Sequence, residues 1–384
     1  MATGFPTKAN WVSGDILTAA AQDDLAGTVN LLSNASAASG TVLVSNVAGT
    51  SFAYQPLQAA GKNAVINGGM DIWQRGTSIS VAASASSTYT ADRWNLITGA
   101  NQAMTVSRQV TGDTTNLPNI QYCLRYQRNS GQTGTSSIPL SQSLETTNSI
   151  PYVGKTVTVS FYARAGANYS PTSSALSFYV QTGTGTDQNQ ASGYTGAANA
   201  VTGTATLTTT WQRFTATGTI GTTANELAVA FYYTPTGTAG ANDYYEVTGV
   251  QVELGSVATT FSRAGGTLQG ELAACQRYYW RQSVANALNY IGGIGMAIST
   301  TQARIFFFPP VAMRNQPTTL DVGALTISDG VTSTAVTGAG ISTDANANSF
   351  YALMNVAAGL IQFRPYSILS YSSGAAYVGF SAEL

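Results

Sequence analysis

The stretch Lys155–Arg164, KTVTVSFYAR, alternates without a break. Val157, Val159 and Phe161 fall on one side of an extended chain, and Thr158, Ser160, Tyr162 and Arg164 fall on the other. A period of two, built from β-branched and aromatic residues, marks a half-buried strand. The same grammar continues downstream. In ALSFYVQTG (175–183), Leu176, Phe178 and Val180 point inward, with Tyr179 and Gln181 outward. In NELAVAFYYTP (225–235), Leu227, Val229, Phe231 and Tyr233 point inward and Tyr232 outward. WQRFTATGTI (211–220) and YYEVTGVQVELG (244–255) complete the set. Short alternating runs separated by Gly, Thr and Asn turns predict a β-sandwich over residues 63–264.

Outside that unit the pattern changes twice. Residues 1–62 form an N-terminal attachment and oligomerisation segment. In it WVSGDILTAAAQDDLAGTVNLLSN (11–34) predicts one helix with Thr18 as its N-cap and Asp23 and Asp24 in the early turns. Leu25, Val29 and Leu32 make a stripe too narrow to build a domain, so it needs a partner: another copy, another protein, or the rest of this chain. GTVLVSNVAGTSFAYQPL (40–57) predicts two short strands around a turn. GGTLQGELAACQRYYWRQ (265–282) carries Leu268, Leu272, Cys275 and Tyr279 at helical spacing and predicts a linking helix over 265–284. Alternation returns in YIGGIGMAIST, ARIFFFPP, LTISDG, FYALMNV and LIQFRPYSIL, giving a smaller C-terminal β domain over 285–384. The fold class is therefore mainly β.

Composition limits the function. Net charge is −1, with three lysines (Lys8, Lys62, Lys155) against 13 arginines, so there is no electrostatic case for nucleic acid. Apolar runs such as RIFFFPPVAM are too short to insert in a membrane, and the first residues lack the apolar core of an export signal. The chain has no histidine, which removes His-based triads and Cys/His zinc sites. Cys123 and Cys275 are expected as buried free thiols, although one disulfide is not excluded by the sequence. With 17 acidic residues and no compelling carboxylate pair in the strands, catalysis is not expected.

Three ordered segments carry a family resemblance. They are NAVINGGMDIWQRGTSIS with YTADRWNL (63–96), VQVELGSVATTF (250–261) and GELAACQRYYW (270–280). Together with FPPVAMRNQPT (308–318) and the FSAEL of 380–384, they resemble tail fibre and other receptor-binding appendage proteins of tailed bacteriophages. The resemblance implies a jelly-roll sandwich similar to carbohydrate-binding modules, followed by a helix and a variable distal β domain. It also implies a homotrimeric, non-enzymatic virion protein. Such a protein joins other phage tail or virion proteins through its N-terminal segment, and recognises a host surface glycan. A head-decorating or baseplate-linking role and a polysaccharide depolymerase are the alternatives.

The expected site residues follow from these readings. Tyr162, Arg164, Tyr179, Gln181 and Tyr232 are the glycan-binding candidates, since sugar rings stack on aromatics and hydroxyls bond to amides and guanidinium. Packing under loops or against another subunit is the competing role for the same residues. In the distal domain Trp280, Arg281, Tyr290, Tyr351 and Tyr371 are further candidates. Trp73–Arg75 and Arg93–Trp94 are expected to stack guanidinium on indole, with Asp92 pairing to either arginine, as a structural staple rather than a ligand site. The resemblance also makes Asp71 and Glu246 or Glu253 the candidates for a structural calcium, for which several oxygen ligands are needed.

Overall fold

A computed structural model describes residues 61–284, 289–342, 344, 346–370 and 376–384, together with two strands of the preceding segment. The helix expected over 11–34 and the candidate Tyr371 lie outside the described residues. The chain divides into two units, 1–59 and 60–384. In the first, β1 (Thr41–Ser45) pairs antiparallel with β2 (Phe52–Pro56), as the two short runs of that segment predict.

The second unit opens with two six-stranded antiparallel sheets. Their strands are β3 (Ser78–Val81), β4 (Thr88–Tyr89), β5 (Asn95–Leu96), β6 (Met104–Val110), β7 (Tyr122–Arg128), β8 (Ile138–Ser143), β9 (Thr156–Ala165), β10 (Ala175–Gly183), β11 (Ala198–Thr206), β12 (Gln212–Thr219), β13 (Glu226–Tyr233) and β14 (Tyr244–Leu254). One sheet runs β11-β10-β13-β8-β5-β4 and the other β12-β9-β14-β7-β6-β3, the interleaved order of a jelly-roll sandwich. Phe161 of one sheet meets Phe178 and Phe231 of the other edge-on, with ring centroids 4.8 Å apart in both pairs. Val159, Leu140, Val247 and Trp94 fill the same layer. Each such fully buried side chain contributes about 1.5–3 kcal/mol of transfer free energy, which is what holds the two faces together.

The linking helix is shorter than the sequence predicts. It spans Leu268–Gln276, capped by Thr267, whose hydroxyl accepts from the Gly270 N–H at 3.0 Å. Leu268, expected on the buried stripe, is 50% exposed, and the residues the helix buries are Glu271 and Cys275. Tyr279 is not helical. It begins β15 (Tyr279–Val284), because the aromatic pair Tyr279–Trp280 is drawn into a sheet with β23 (Ala376–Ser381). β18 (Thr319–Val322) flanks β23 on its other side.

A closed six-stranded barrel completes the unit. Its strands are β16 (Tyr290–Ala297), β17 (Gln302–Phe307), β19 (Leu325–Ser328), β20 (Ser333–Ile341), β21 (Phe350–Val356) and β22 (Pro365–Ser370), in the order β16-β17-β21-β20-β19-β22. Trp280, Phe307, Phe350 and Phe380 form its aromatic core, with Trp280 stacked on Phe380 at 5.7 Å. Among the described residues no helix is long and apolar enough to cross a membrane.

Candidate functional site

The tryptophan–arginine signature is a junction. Asn67 adopts a left-handed backbone (φ 56°), and its side-chain amide bonds both the N–H and the carbonyl of Ile72, at 2.9 and 2.8 Å. Gly68 lies against the Val250 carbonyl, where a Cβ would overlap it. Trp73 and Trp94 turn into the sandwich core, their indole N–H groups donating to the Met70 and Asn67 carbonyls.

Neither arginine stacks on an indole. Arg75 lies 3.5 Å from the Tyr279 ring centroid, and Arg93 lies 3.5 Å from that of Tyr278. Both pair with Glu383. Asp92 pairs with neither arginine. It accepts from the backbone N–H of Gln74 (2.9 Å) and from the Gln74 amide (2.5 Å), and burial pushes its carboxyl above the usual range. The signature therefore clamps the region after the helix to the sandwich, through tyrosines rather than tryptophans. Tyrosines at 278 and 279 are the partners because β15 starts there, directly after the helix.

The acidic residues proposed for calcium are scattered and neutralised. Asp71 pairs with Arg263 at 2.8 Å. Glu246 accepts from Arg125 and Arg164. Glu253 takes Thr259, Gln251 and Lys62. Among the described residues no three His, Cys, Asp or Glu side chains gather as a metal site would require. Cys123 and Cys275 are both free and buried.

The five glycan candidates do not share a face. Tyr162 and Arg164 stand on the outer side of the β9 sheet. There Tyr162 packs over a small second core of Leu117, Ile120, Cys123, Trp211 and Phe261. Arg164 lies over Trp211 at 4.7 Å. Loops cover that side, so alternation alone placed these two residues outward while the fold puts them under cover.

Tyr179, Gln181 and Tyr232 do come together, on the outer face of the other sheet. Tyr179 is paired with Ala230 and Ser177 with Tyr232, which makes the two tyrosines diagonal neighbours. Their rings are 5.6 Å apart at 52°. A bulge between Val180 and Gln181 brings Gln181 opposite Asn199, to whose side chain it donates at 3.1 Å.

One residue of this cluster was not foreseen. Gln190 sits in the turn Gln190–Ser192 of the loop that folds over the sheet, where its backbone N–H bonds Ser143 Oγ at 2.9 Å. Its Nε2 donates to the Tyr179 hydroxyl at 3.0 Å and to Gln181 Oε1 at 3.2 Å. Its own Oε1 is buried and has no hydrogen-bond partner among the described residues. Nothing in QNQASG marks this position, because the contact depends on a loop returning to the sheet.

The result is a depression of about 410 Å³ between loop and strands, edged by Ile97, Ser137 and Pro139, with no charged residue in its lining among the described residues. Small-molecule sites commonly occupy about 300–1,000 Å³. Burial raises the Tyr179 phenol above its ordinary value, so it stays a protonated hydroxyl. Chemically the site offers two aromatic faces and three side-chain amides. That set suits a neutral, hydroxyl-bearing ligand.

The distal candidates separate likewise. Trp280 is core and Tyr351 is buried, its hydroxyl bonded to Asp344 at 2.9 Å. Arg281 lies over Tyr377 at 3.4 Å. Tyr290 alone of the described four is well exposed.

No family model matches the chain, and no curated protein matches it by sequence. Among solved structures it is similar to a CBM4 structure, at 21% identity and TM-score 0.25, over 39% of this chain and 87% of that one. It is also similar to the CBM22-1–CBM22-2 tandem domain of Paenibacillus barcinonensis Xyn10C, at 12% identity and TM-score 0.30, over 85% and 98%. A cyclase from Fischerella is matched at 10% identity and TM-score 0.32, over 52% and 100%. Likeness at this level carries no argument about function, and the sandwich itself rests on the sheet order above.

Proposed function

We propose that this chain is a receptor-binding appendage protein of a tailed bacteriophage, a structural virion component that holds a host-surface glycan without cutting it. The observation that carries the reading is the Tyr179–Tyr232 face with the side-chain amides of Gln181, Gln190 and Asn199 beside it. Two aromatic faces meet the C–H side of a sugar ring, and the amides meet its hydroxyls. The ordered motifs at 63–96, 250–261 and 270–280 supply the phage context. Absence of cutting is supported by the acidic residues: Glu145, Asp243, Glu246, Glu253 and Glu383 are each tied to a cation, where a glycosidase needs two free carboxyls at a set separation. In the same reading the protein is a homotrimer, joined to other tail proteins through residues 1–62.

The test uses the full chain carrying a fluorescent label. It is expected to bind host cells and to lose that binding when surface polysaccharide is oxidised by periodate. Binding that survives periodate overturns the glycan reading. A particle assembled without this chain that still adsorbs normally points instead to a head-decorating or baseplate-linking role. Release of reducing ends from host polysaccharide would make the chain a depolymerase.

A further inference from the structure

The loop over 184–197 carries Gln190 to the Tyr179–Tyr232 face, and residues that follow β23 hold that loop. Asn189 uses both ends of its side-chain amide. Its Oδ1 accepts from the Ala191 N–H at 2.9 Å and shapes the turn Gln190–Ser192. Its Nδ2 donates to the main-chain oxygen of Leu384 at 2.9 Å and to the Tyr89 hydroxyl at 3.3 Å. That hydroxyl donates in turn to the same Leu384 oxygen at 3.1 Å.

Two further links run from the same segment. Arg314, between β17 and β18, donates to the Ala382 carbonyl at 2.9 Å and to the Glu383 carbonyl at 3.0 Å, and its Nη1 lies 3.4 Å from Asp187 Oδ2 in the loop. Ser143, whose hydroxyl takes the Gln190 N–H, has its carbonyl bonded by Arg93, the partner of Glu383. Residues 382, 383 and 384 are thus each tied, directly or through one side chain, to the loop or to its support. None of the three lines the depression. The loop sequence, TGTDQNQASGYTGA, has three glycines and only Tyr194 as a large apolar group, so its polar anchors decide where it lies.

We propose that residues 382–384, acting through Asn189, Tyr89 and Arg314, are positioning residues for the glycan face. They fix the loop, and the loop fixes Gln190 against the Tyr179 hydroxyl and Gln181. A site whose groups are already in place loses less binding free energy to ordering them. The strength of glycan binding is thereby tied to the docking of a segment that does not touch the glycan. This proposal rests on the glycan reading above.

The test uses the labelled full chain, with intact host cells as the probe and periodate-treated cells as the blank. Asn189→Ser keeps a hydroxyl to cap the turn but is too short to reach Leu384. It is expected to weaken binding about threefold to tenfold, the size of one modest hydrogen bond. Tyr89→Phe leaves the loop sequence intact and is expected to move binding the same way. In a Gln190→Ala background both substitutions are expected to have no further effect, because they act through Gln190. Hydrogen exchange is expected to quicken at 188–192 in both variants and to stay unchanged in β10 and β13, a pattern that general destabilisation does not give. Unchanged exchange at 188–192, or the same weakening with and without Gln190, overturns the proposal. Periodate-sensitive binding that ignores both substitutions overturns it alone and leaves the glycan reading intact. Wild-type binding that survives periodate overturns both.

Discussion

Arg93 and Glu383, 290 residues apart in sequence, form an ion pair in which the arginine side chain is 2% exposed and the glutamate 5%. Arg93 also donates to the Ser143 carbonyl at 2.6 Å and covers the Tyr278 ring. The pair thus ties the sandwich signature to the segment that follows β23. Removing one partner strands a buried charge, at a cost of about 3–5 kcal/mol, whereas replacing both with apolar groups is often near neutral. Glu383→Ala is therefore expected to lower the denaturation midpoint sharply, and Arg93→Met with Glu383→Leu to recover most of the loss. Equal losses in both variants would show that the pair does not link the two regions in this way.

Tyr232 is half-buried on an outer sheet face, so its truncation costs the fold little. Tyr232→Ala is expected to weaken host-cell or glycan binding about threefold to tenfold, the equivalent of an aromatic contact worth about 0.5–1.5 kcal/mol. Tyr162→Ala is expected to act the other way round, reducing stability through the small core beneath it. Binding isotherms and melting curves on the two variants separate the roles.

Gly68 has no room for a methyl group, because the Val250 carbonyl occupies the place of its Cβ. Gly68→Ala is expected to cost about 1–3 kcal/mol or more through forced backbone movement, seen as a lower melting temperature or loss to the insoluble fraction. Gly221, which has open space and an ordinary backbone, supplies the control: Gly221→Ala is expected to leave the melt unchanged.

The carboxyls respond to pH with opposite signs. Burial raises Asp92 and Glu271 in the folded protein. An acid raised on folding binds more protons native than unfolded, so its effect is a loss of stability as pH climbs from the unfolded value through the folded one. Glu145 is lowered, burial opposing but the Arg277 hydrogen bonds prevailing. Its stabilisation is present above its ordinary value of 4.5 and fades as pH falls through the folded value. Urea midpoints between pH 3 and 7 are expected to lose the first slope in Asp92→Asn and the second in Glu145→Gln.

Burial raises both thiols, Cys123 and Cys275, well above their ordinary range. The thiolate is the reactive form. Neither is expected to react with an aromatic disulfide reagent at pH 8 until the protein is unfolded, when both should titrate. Rapid reaction of either in the native protein would contradict its buried position.

What was legible in the sequence was the side of each strand, where alternation was clean. Val157, Val159 and Phe161 are interior, as are Leu176, Phe178 and Val180. Which sheet a strand joins was not legible, because alternation carries no record of pairing. Tyr162 and Tyr179 thus read as one surface and belong to two. MTVSRQV and YCLRYQR are strands too, although their arginines and glutamines blur the period, because β14 and the β3 edge recruit them from either side. The partners of Arg75 and Arg93 escaped for a related reason. Glu383 is hundreds of residues away, and only the closed fold brings it near.

In the function proposed above, the uncharged lining of the Tyr179–Tyr232 depression would govern how the protein meets a glycan. With no field reaching out from the site, encounters are unsteered, at an association rate on the order of 10⁵–10⁶ per molar per second. Ionic strength has little to screen there. A contact of this kind works alike in fresh water and in brine, and how long it lasts is set by the dissociation step, in which rings must peel apart and amides must be rehydrated.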